Sequence, residues 1–138
     1  MKFIQSTEMK VDILENQECW LSSKDKIKQN AKRDDTLAFD IYNDDKLIGF
    51  AMLREFEKGC FFLWSFAIDK EFQNKGLGKK ALLELIKFLK NNYDLKTITT
   101  TYKTGNNHAK HLYENAGFTE TNRVLDGEMD EVDMELHI

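Results

Sequence analysis

The chain contains no proline, two cysteines, seven glycines and no long apolar run among its 138 residues. Each scarcity excludes something. Without proline, the breaks between elements fall to Gly, Asn and Asp. Cys19 and Cys60 lie far apart and near no cluster of the three histidines, His108, His111 and His137. Two such thiols are too few for a disulfide scaffold and wrongly spaced for zinc, so reduced cysteines and no bound metal are expected. Nothing approaches the roughly 20 apolar residues of a membrane helix, and Met1-Lys2-Phe3-Ile4-Gln5 is not the start of a signal-peptide apolar stretch. The expectation is a soluble, cytoplasmic protein without a membrane partner. A basic excess is missing as well. The 20 Lys+Arg stand against 24 Asp+Glu, for a formal net charge of -4, so no nucleic-acid partner is expected.

What is present suffices for one folded domain. Hydrophobic residues make up 41% and aromatics 12%, ten Phe among them, which supports an ordinary core and excludes a disordered acidic tail. No linker, repeat or low-complexity tract interrupts residues 1–138, which read as a single domain.

The first third is polar, and Val11 to Trp20 and Lys24 to Lys32 each read as a short helix, the second capped by Ser22 or Ser23. From Leu37 the pattern turns to strands. Leu37–Tyr42 and Lys46–Leu53 flank the turn Asn43-Asp44-Asp45 as a hairpin. Glu57-Lys58-Gly59 turns into Cys60–Ile68, a run apolar on both faces and therefore a central strand. Within Lys79–Asn92, the residues Leu82, Leu85, Ile86 and Leu89 recur at helical spacing and predict an amphipathic helix. Lys96–Tyr102 is β-branched and strand-like. Asn106–Asn115 is a second helix, closed by Gly117 in a left-handed C-terminal position. Phe118–Leu125 and the alternating Val132–Ile138 read as two final strands. The fold class is α/β, a single mixed sheet with flanking helices.

The segment Gln73-Asn74-Lys75-Gly76-Leu77-Gly78 joins a strand to a helix. Glycines admit a close backbone approach, the first helical turn has N–H groups without partners, and the helix dipole favours an anion there. Lys75, Lys79 and Lys80 add positive charge. On local chemistry alone the segment is either an anion cradle or a structural turn. A P-loop needs four residues between its glycines and a following Lys-Ser/Thr. A dinucleotide fold needs a third glycine. Neither spacing is met.

The segment resembles the acetyl-CoA loop of the GNAT superfamily of N-acetyltransferases, Arg/Gln-x-x-Gly-x-Gly/Ala, with Gln73, Gly76 and Gly78 at the defined positions. A second stretch, Asn106-x-x-Ala109-x-x-Leu112-Tyr113-Glu114-x-x-Gly117-Phe118, is similar to the later element of the same superfamily. The two occur in order and at matching separation, and the resemblance covers roughly residues 37–138. It implies a GNAT-like, largely antiparallel sheet flanked by helices, with 37–138 as an acetyl-CoA-binding core and 1–36 as acceptor-side helices. Within the superfamily, Leu63–Asp69 and Asp126-Gly127-Glu128 look like bacterial spermine/spermidine (diamine) acetyltransferases.

The resemblance also implies roles. Acetyl-CoA is the cosubstrate, and a small-molecule amine is the acceptor. Main-chain groups of Phe66, Ala67 and Ile68 run along the pantetheine arm. Gln73, Asn74, Lys75, Gly76, Leu77, Gly78 and Lys79 surround the pyrophosphate, and Asn106 contacts the pantetheine. Tyr113 is the proton donor to the leaving thiolate, since a phenol titrating near 10 can protonate it. The base is left open between Glu55, Glu57, Glu128 and a water chain. The acidic residues Glu128, Asp130, Glu131, Asp133 and Glu135 form either a solvated strand face or a polycation-attracting one. Trp20 and Trp64 read as core or pocket wall. A homodimer is implied by the resemblance alone. Two other readings stay open: acetylation of protein N-termini or lysines, and a non-catalytic coenzyme A-binding module.

Overall fold

Asp44 and Asp45 both have positive φ, 51° and 63°, the two-residue turn whose twist matches the strands it joins. They link β2 (Thr36–Asn43) to β3 (Lys46–Glu57), and a second turn leads to β4 (Cys60–Ile68). The computed structural model describes residues 1–13, 23–124 and 130–138. The remaining elements are β1 (Lys2–Gln5), α1 (Lys24–Asn30), α2 (Leu77–Tyr93), β5 (Thr97–Lys103), α3 (Asn107–Asn115), β6 (Thr119–Val124) and β7 (Glu131–His137).

Most elements lie within a residue or two of the sequence expectation, but the first third differs. β1 was not legible, because four residues carry too little periodicity, and their strand state comes from pairing with β2, Phe3 opposite Ile41. The expected helix from Val11 to Trp20 is not helical at residues 11–13, and its remainder lies outside the described residues. Tertiary contacts hold residues 10–12 instead. Lys10 pairs with the buried Asp40 of β2 at 2.6 Å, and Asp12 N–H donates to Asp69 Oδ2 at 3.1 Å. The second expected helix is α1, capped by the Ser23 hydroxyl, which accepts from Lys26 N–H.

Among the described residues, seven strands are ordered β1-β2-β3-β4-β5-β7-β6. Neighbours are antiparallel except β4 and β5, which are parallel and therefore need a crossover, supplied by α2. The buried stripe of α2, Leu82, Leu85, Ile86 and Leu89, packs with α3 on one face of the sheet over Phe39, Ile41, Phe61 and Ile98. Each fully buried Leu there contributes about 1.5–3 kcal/mol. On the other face, α1 and the 9–13 segment cover Ala38, Phe50, Met52 and Ala67.

β4 carries a bulge. Met52 pairs with Ser65 and Leu53 with Leu63, which leaves Trp64 as the extra residue. The bulge exchanges the faces of the strand. Before it, Phe61 and Leu63 point towards α2 and α3; after it, Phe66 and Ile68 do so, while Ala67 and Trp64 turn to the α1 side.

Candidate functional site

β4 and β5 part company halfway along the sheet. They pair only from Cys60–Thr97 to Leu63–Thr100. Beyond that point β4 stays with β3, Ile68 opposite Gly49, and β5 stays with β7, Lys103 opposite Glu131. Asp69 N–H donates to Ile48 O of β3 at 2.7 Å. Strand alternation then directs the main-chain groups of Phe66 and Ile68 the other way, into the split. An extended ligand placed there would add to the β4 edge as a strand does.

A cleft of about 410 Å³ occupies the split. Because it opens between strands, both faces of the sheet line it. Leu112 and Tyr113 of α3 approach from one side, and Lys26 of α1 with Trp64 from the other.

At the end of β4, the Gln73 amide donates to Ile68 O at 2.9 Å and fastens the following loop to the strand. Asn74 and Gly76 have φ of 61° and 73°. Gly76 is the N-cap of α2 and supplies no side-chain cap. Lys80 N–H is the first to bond back, to Gly76 O at 3.3 Å, so the N–H groups of Leu77, Gly78 and Lys79 have no partner within the helix. A Cβ at Gly76 would meet no atom within 4 Å, whereas one at Gly78 would make ordinary contact with Ile68 at 3.7 Å. Glycine at 76 therefore answers a backbone conformation, and at 78 an alanine fits. No acidic residue occupies the first turn of α2, and Lys75, Lys79 and Lys80 are exposed around it. These features suit an anion.

α3 is built to hold Tyr113. At its start the Asn106 side chain accepts from Ala109 N–H at 3.3 Å, which leaves the amide NH₂ as the donor it can offer a ligand. At its end Phe118 N–H bonds Tyr113 O at 3.0 Å and Gly117 N–H bonds Glu114 O at 3.1 Å, the paired bonds of a Schellman motif. Its hydrophobic contact is Phe118 on Tyr113, ring centroids 5.5 Å apart. The Gly117-Phe118 pair thus terminates the helix and packs the tyrosine. Burial pushes the Tyr113 phenol above its ordinary pKa, and a hydrogen bond with Thr100 opposes that rise. The Thr100 hydroxyl is itself buried and donates to Leu63 O at 3.0 Å.

The α1 side of the cleft is polar. The Arg33 guanidinium lies 5.9 Å from the Trp64 ring and is held by Asp35 at 3.3 Å. Since Val132 and Met134 face the α2/α3 core, alternation puts Glu131, Asp133 and Glu135 on the α1 face, and Glu131 reaches the cleft.

Of the residues expected from sequence, Phe66, Ile68, Gln73, Gly78, Asn106 and Tyr113 line the cleft, and Asn74, Lys75, Gly76, Leu77 and Lys79 form the adjoining loop and helix start. Ala67 does not join them. It pairs with Phe50 of β3 and buries its side chain in the α1-side core. Glu55 and Glu57 are also removed from the chemistry. They pair near Phe61 and Cys60, seven residues and roughly 20 Å of strand from Ile68, and Glu55 accepts from Gly59 N–H at 3.2 Å. Glu128 and Trp20 lie outside the described residues. Sequence reasoning passed over Thr100 and Lys26, and it named Glu131 only as one residue of an acidic face. Only Thr100 carried a signal, a hydroxyl on the inward face between Ile98 and Tyr102.

The sequence profile of the acetyltransferase (GNAT) family matches residues 7–118. The chain is 38% identical over 97 residues to a probable spermine N(1)-acetyltransferase of Bacillus subtilis subsp. natto (strain BEST195); the aligned stretch spans 65% of this chain and 60% of that relative. Among solved structures, a GNAT family acetyltransferase from Elizabethkingia anophelis with acetyl-CoA bound superimposes with a TM-score of 0.74 at 16% identity, covering 99% of this chain and 97% of that one. A spermidine N-acetyltransferase variant from Vibrio cholerae gives 0.71 at 21% identity over 83% of this chain and 75% of its own. At these identities the two structures establish a shared fold.

Proposed function

The chain belongs to the acetyltransferase (GNAT) family, and we propose that it transfers the acetyl group of acetyl-coenzyme A to a primary amine of a small molecule. The observation that carries this reading is the split between β4 and β5. It joins an unpaired strand edge, an uncapped helix N-terminus and a buried phenol in one cleft.

The residues present fit the coenzyme. The pyrophosphate suits the N–H groups of Leu77, Gly78 and Lys79, with open space at Gly76 and lysines around it. The amide-bearing arm suits the main-chain groups of Phe66 and Ile68, with Asn106 facing it across the cleft. When bound, the coenzyme supplies a thioester, an electrophilic acyl carbon with a thiolate leaving group. The chain supplies position, a donor and a proton. Ile68 N–H points into the split, where it can stabilise charge developing on the carbonyl oxygen. Tyr113 stays protonated well past neutral pH because burial raises its pKa, so it holds the proton the departing sulfur requires.

The acceptor enters from the α1 side, past Lys26 and Trp64. The acidic stripe Glu131, Asp133, Glu135 on that face favours a cationic acceptor. The spermine named for the curated relative makes polyamines the first acceptors to test. Residues 1–36 then serve the acceptor and 37–138 the coenzyme. A cytoplasmic site of action and a homodimer belong to the same proposal, drawn from composition and the family resemblance; sedimentation equilibrium checks the dimer. Incubation of acetyl-CoA with spermine, spermidine or putrescine should release free thiol. Absence of turnover with all three overturns the polyamine assignment.

A further inference from the structure

Asp69 follows Ile68 directly, where β4 ends and the loop proposed for the coenzyme begins. Its carboxylate is shared between two main-chain groups. Oδ1 accepts from Glu71 N–H at 3.0 Å and caps the turn Lys70–Phe72 that opens the loop. Oδ2 accepts from Asp12 N–H at 3.1 Å, 57 residues away in sequence. A return bond runs from Lys70 N–H to Asp12 O at 2.7 Å. Both main-chain groups of Asp12 are therefore engaged by the two residues after Ile68.

The bridge continues to the acceptor side. Asp12 Oδ1 pairs with Lys24 Nζ at 3.3 Å, and Lys24 is the first residue of α1. Two residues on, Lys26 lines the cleft. Burial of Met9, Val11 and Ile27 beside Ala67 keeps this layer on its face of the sheet, but apolar contact is non-directional. The bonds to residues 69 and 70 set its position along β4, beside the end that carries Ile68 N–H.

The residue type suits two donors at once. A carboxylate offers two oxygens and no proton. An asparagine would turn an NH₂ towards one of the N–H groups, and a serine has a single oxygen to give.

We infer that Asp69 is a positioning residue for the acceptor, its carboxylate setting the acceptor-side wall of the cleft against the loop proposed for the coenzyme. This rests on the acetyl-transfer reading, with the acceptor entering past Lys26 and Trp64. Neither Asp69 nor Asp12 lines the described cleft, so Asp69 acts through Asp12 and α1. A coenzyme that steadies the loop steadies Asp12 through the same carboxylate.

The test uses the full chain with Asp69→Ser and Asp69→Ala, spermine as the acceptor and coenzyme A as the loop's ligand. Serine keeps an oxygen to cap the turn at Glu71 and deletes the one that holds Asp12. Asp69→Ser should raise the KM for spermine about fivefold to tenfold, the scale of one lost hydrogen bond. Coenzyme A affinity by calorimetry should stay within about twofold. Asp69→Ala removes both oxygens and should weaken coenzyme A as well. A mere loss of folded protein would lower kcat and leave KM alone, so the split between the two decides. An unchanged spermine KM in Asp69→Ser, or one rising only in step with the coenzyme A Kd, overturns the inference and leaves the acetyl-transfer reading standing. If no polyamine turns over, hydrogen exchange decides instead. Coenzyme A should slow exchange at Asp12 N–H in the wild type and not in Asp69→Ser. Equal slowing in both, or none in the wild type, overturns the inference. A wild type that binds no coenzyme A overturns the acetyl-transfer reading and this inference with it.

Discussion

Tyr113 is where the chemistry of single residues is most sharply posed. Tyr113→Phe keeps the ring against Phe118 and removes the proton. Turnover should fall by about 10²–10⁴-fold with little change in coenzyme A affinity, read by steady-state kinetics beside calorimetry. A pure coenzyme-binding protein would show no turnover to lose. The same burial has a consequence for stability. A phenol whose folded pKa is raised contributes stability that is complete below its ordinary value near 10 and is lost as pH rises from there towards the folded value. Urea unfolding should therefore show falling stability above about pH 10, less steeply in Tyr113→Phe; identical slopes would show that Tyr113 does not drive it. At Gly76 a side chain meets no protein atom, yet φ is 73° and the space faces the anion site. Gly76→Asp should abolish coenzyme A binding through both strain and charge, and unchanged affinity would refute the loop as its site.

At the scale of elements, α3 and the end of β4 are set by features that short motifs encode unequally. Asn106 and Gly117-Phe118 are legible because a helix needs a cap at each end, and one residue type at each position supplies it. The bulge at Trp64 is not legible. An all-apolar strand reads the same with or without an extra residue, so the sequence does not reveal which of its side chains meet α2 and which meet α1. Gly49 shows the tightness of that region. A Cβ there would lie 2.7 Å from Ala67 O, a main-chain atom that cannot swing aside. Gly49→Ala should destabilise by about 1–3 kcal/mol and weaken coenzyme A binding as well, because it pushes on the segment carrying Phe66 and Ile68. Thermal unfolding and calorimetry measure the two effects. A lowered melting temperature with full affinity would mean the end of β4 absorbs the shift.

For the whole molecule, the decisive feature is one parallel pair among antiparallel ones. β4 and β5 belong to separate antiparallel units, one continuing through β3 and the other through β7, and they share only their first halves. The ligand proposed for the gap would join the two units. Coenzyme A should accordingly raise the melting temperature with ligand concentration, by about 2.7 kcal/mol of added stability at a hundred times Kd. Hydrogen exchange should slow at Phe66 and Ile68 more than at the outer strands. Uniform protection across the sheet would argue against binding in the split.

Local patterns were enough for the hairpin, the amphipathic helix α2, the glycine loop and the capped α3, because each depends on neighbours within a few residues. Periodicity, turn chemistry and capping are short-range physics, and they placed the glycine loop before α2 and Tyr113 on a capped helix without the fold; the coenzyme role proposed for them comes from the family resemblance. The edge strand β1, the 9–13 segment, the Trp64 bulge and the removal of Glu55 and Glu57 from the site depend on contacts between distant parts of the chain. So does the cleft that Thr100 and Tyr113 both line. Residues thirteen apart in sequence come to line one cleft because a helix crosses back over the strand at the point where the sheet opens.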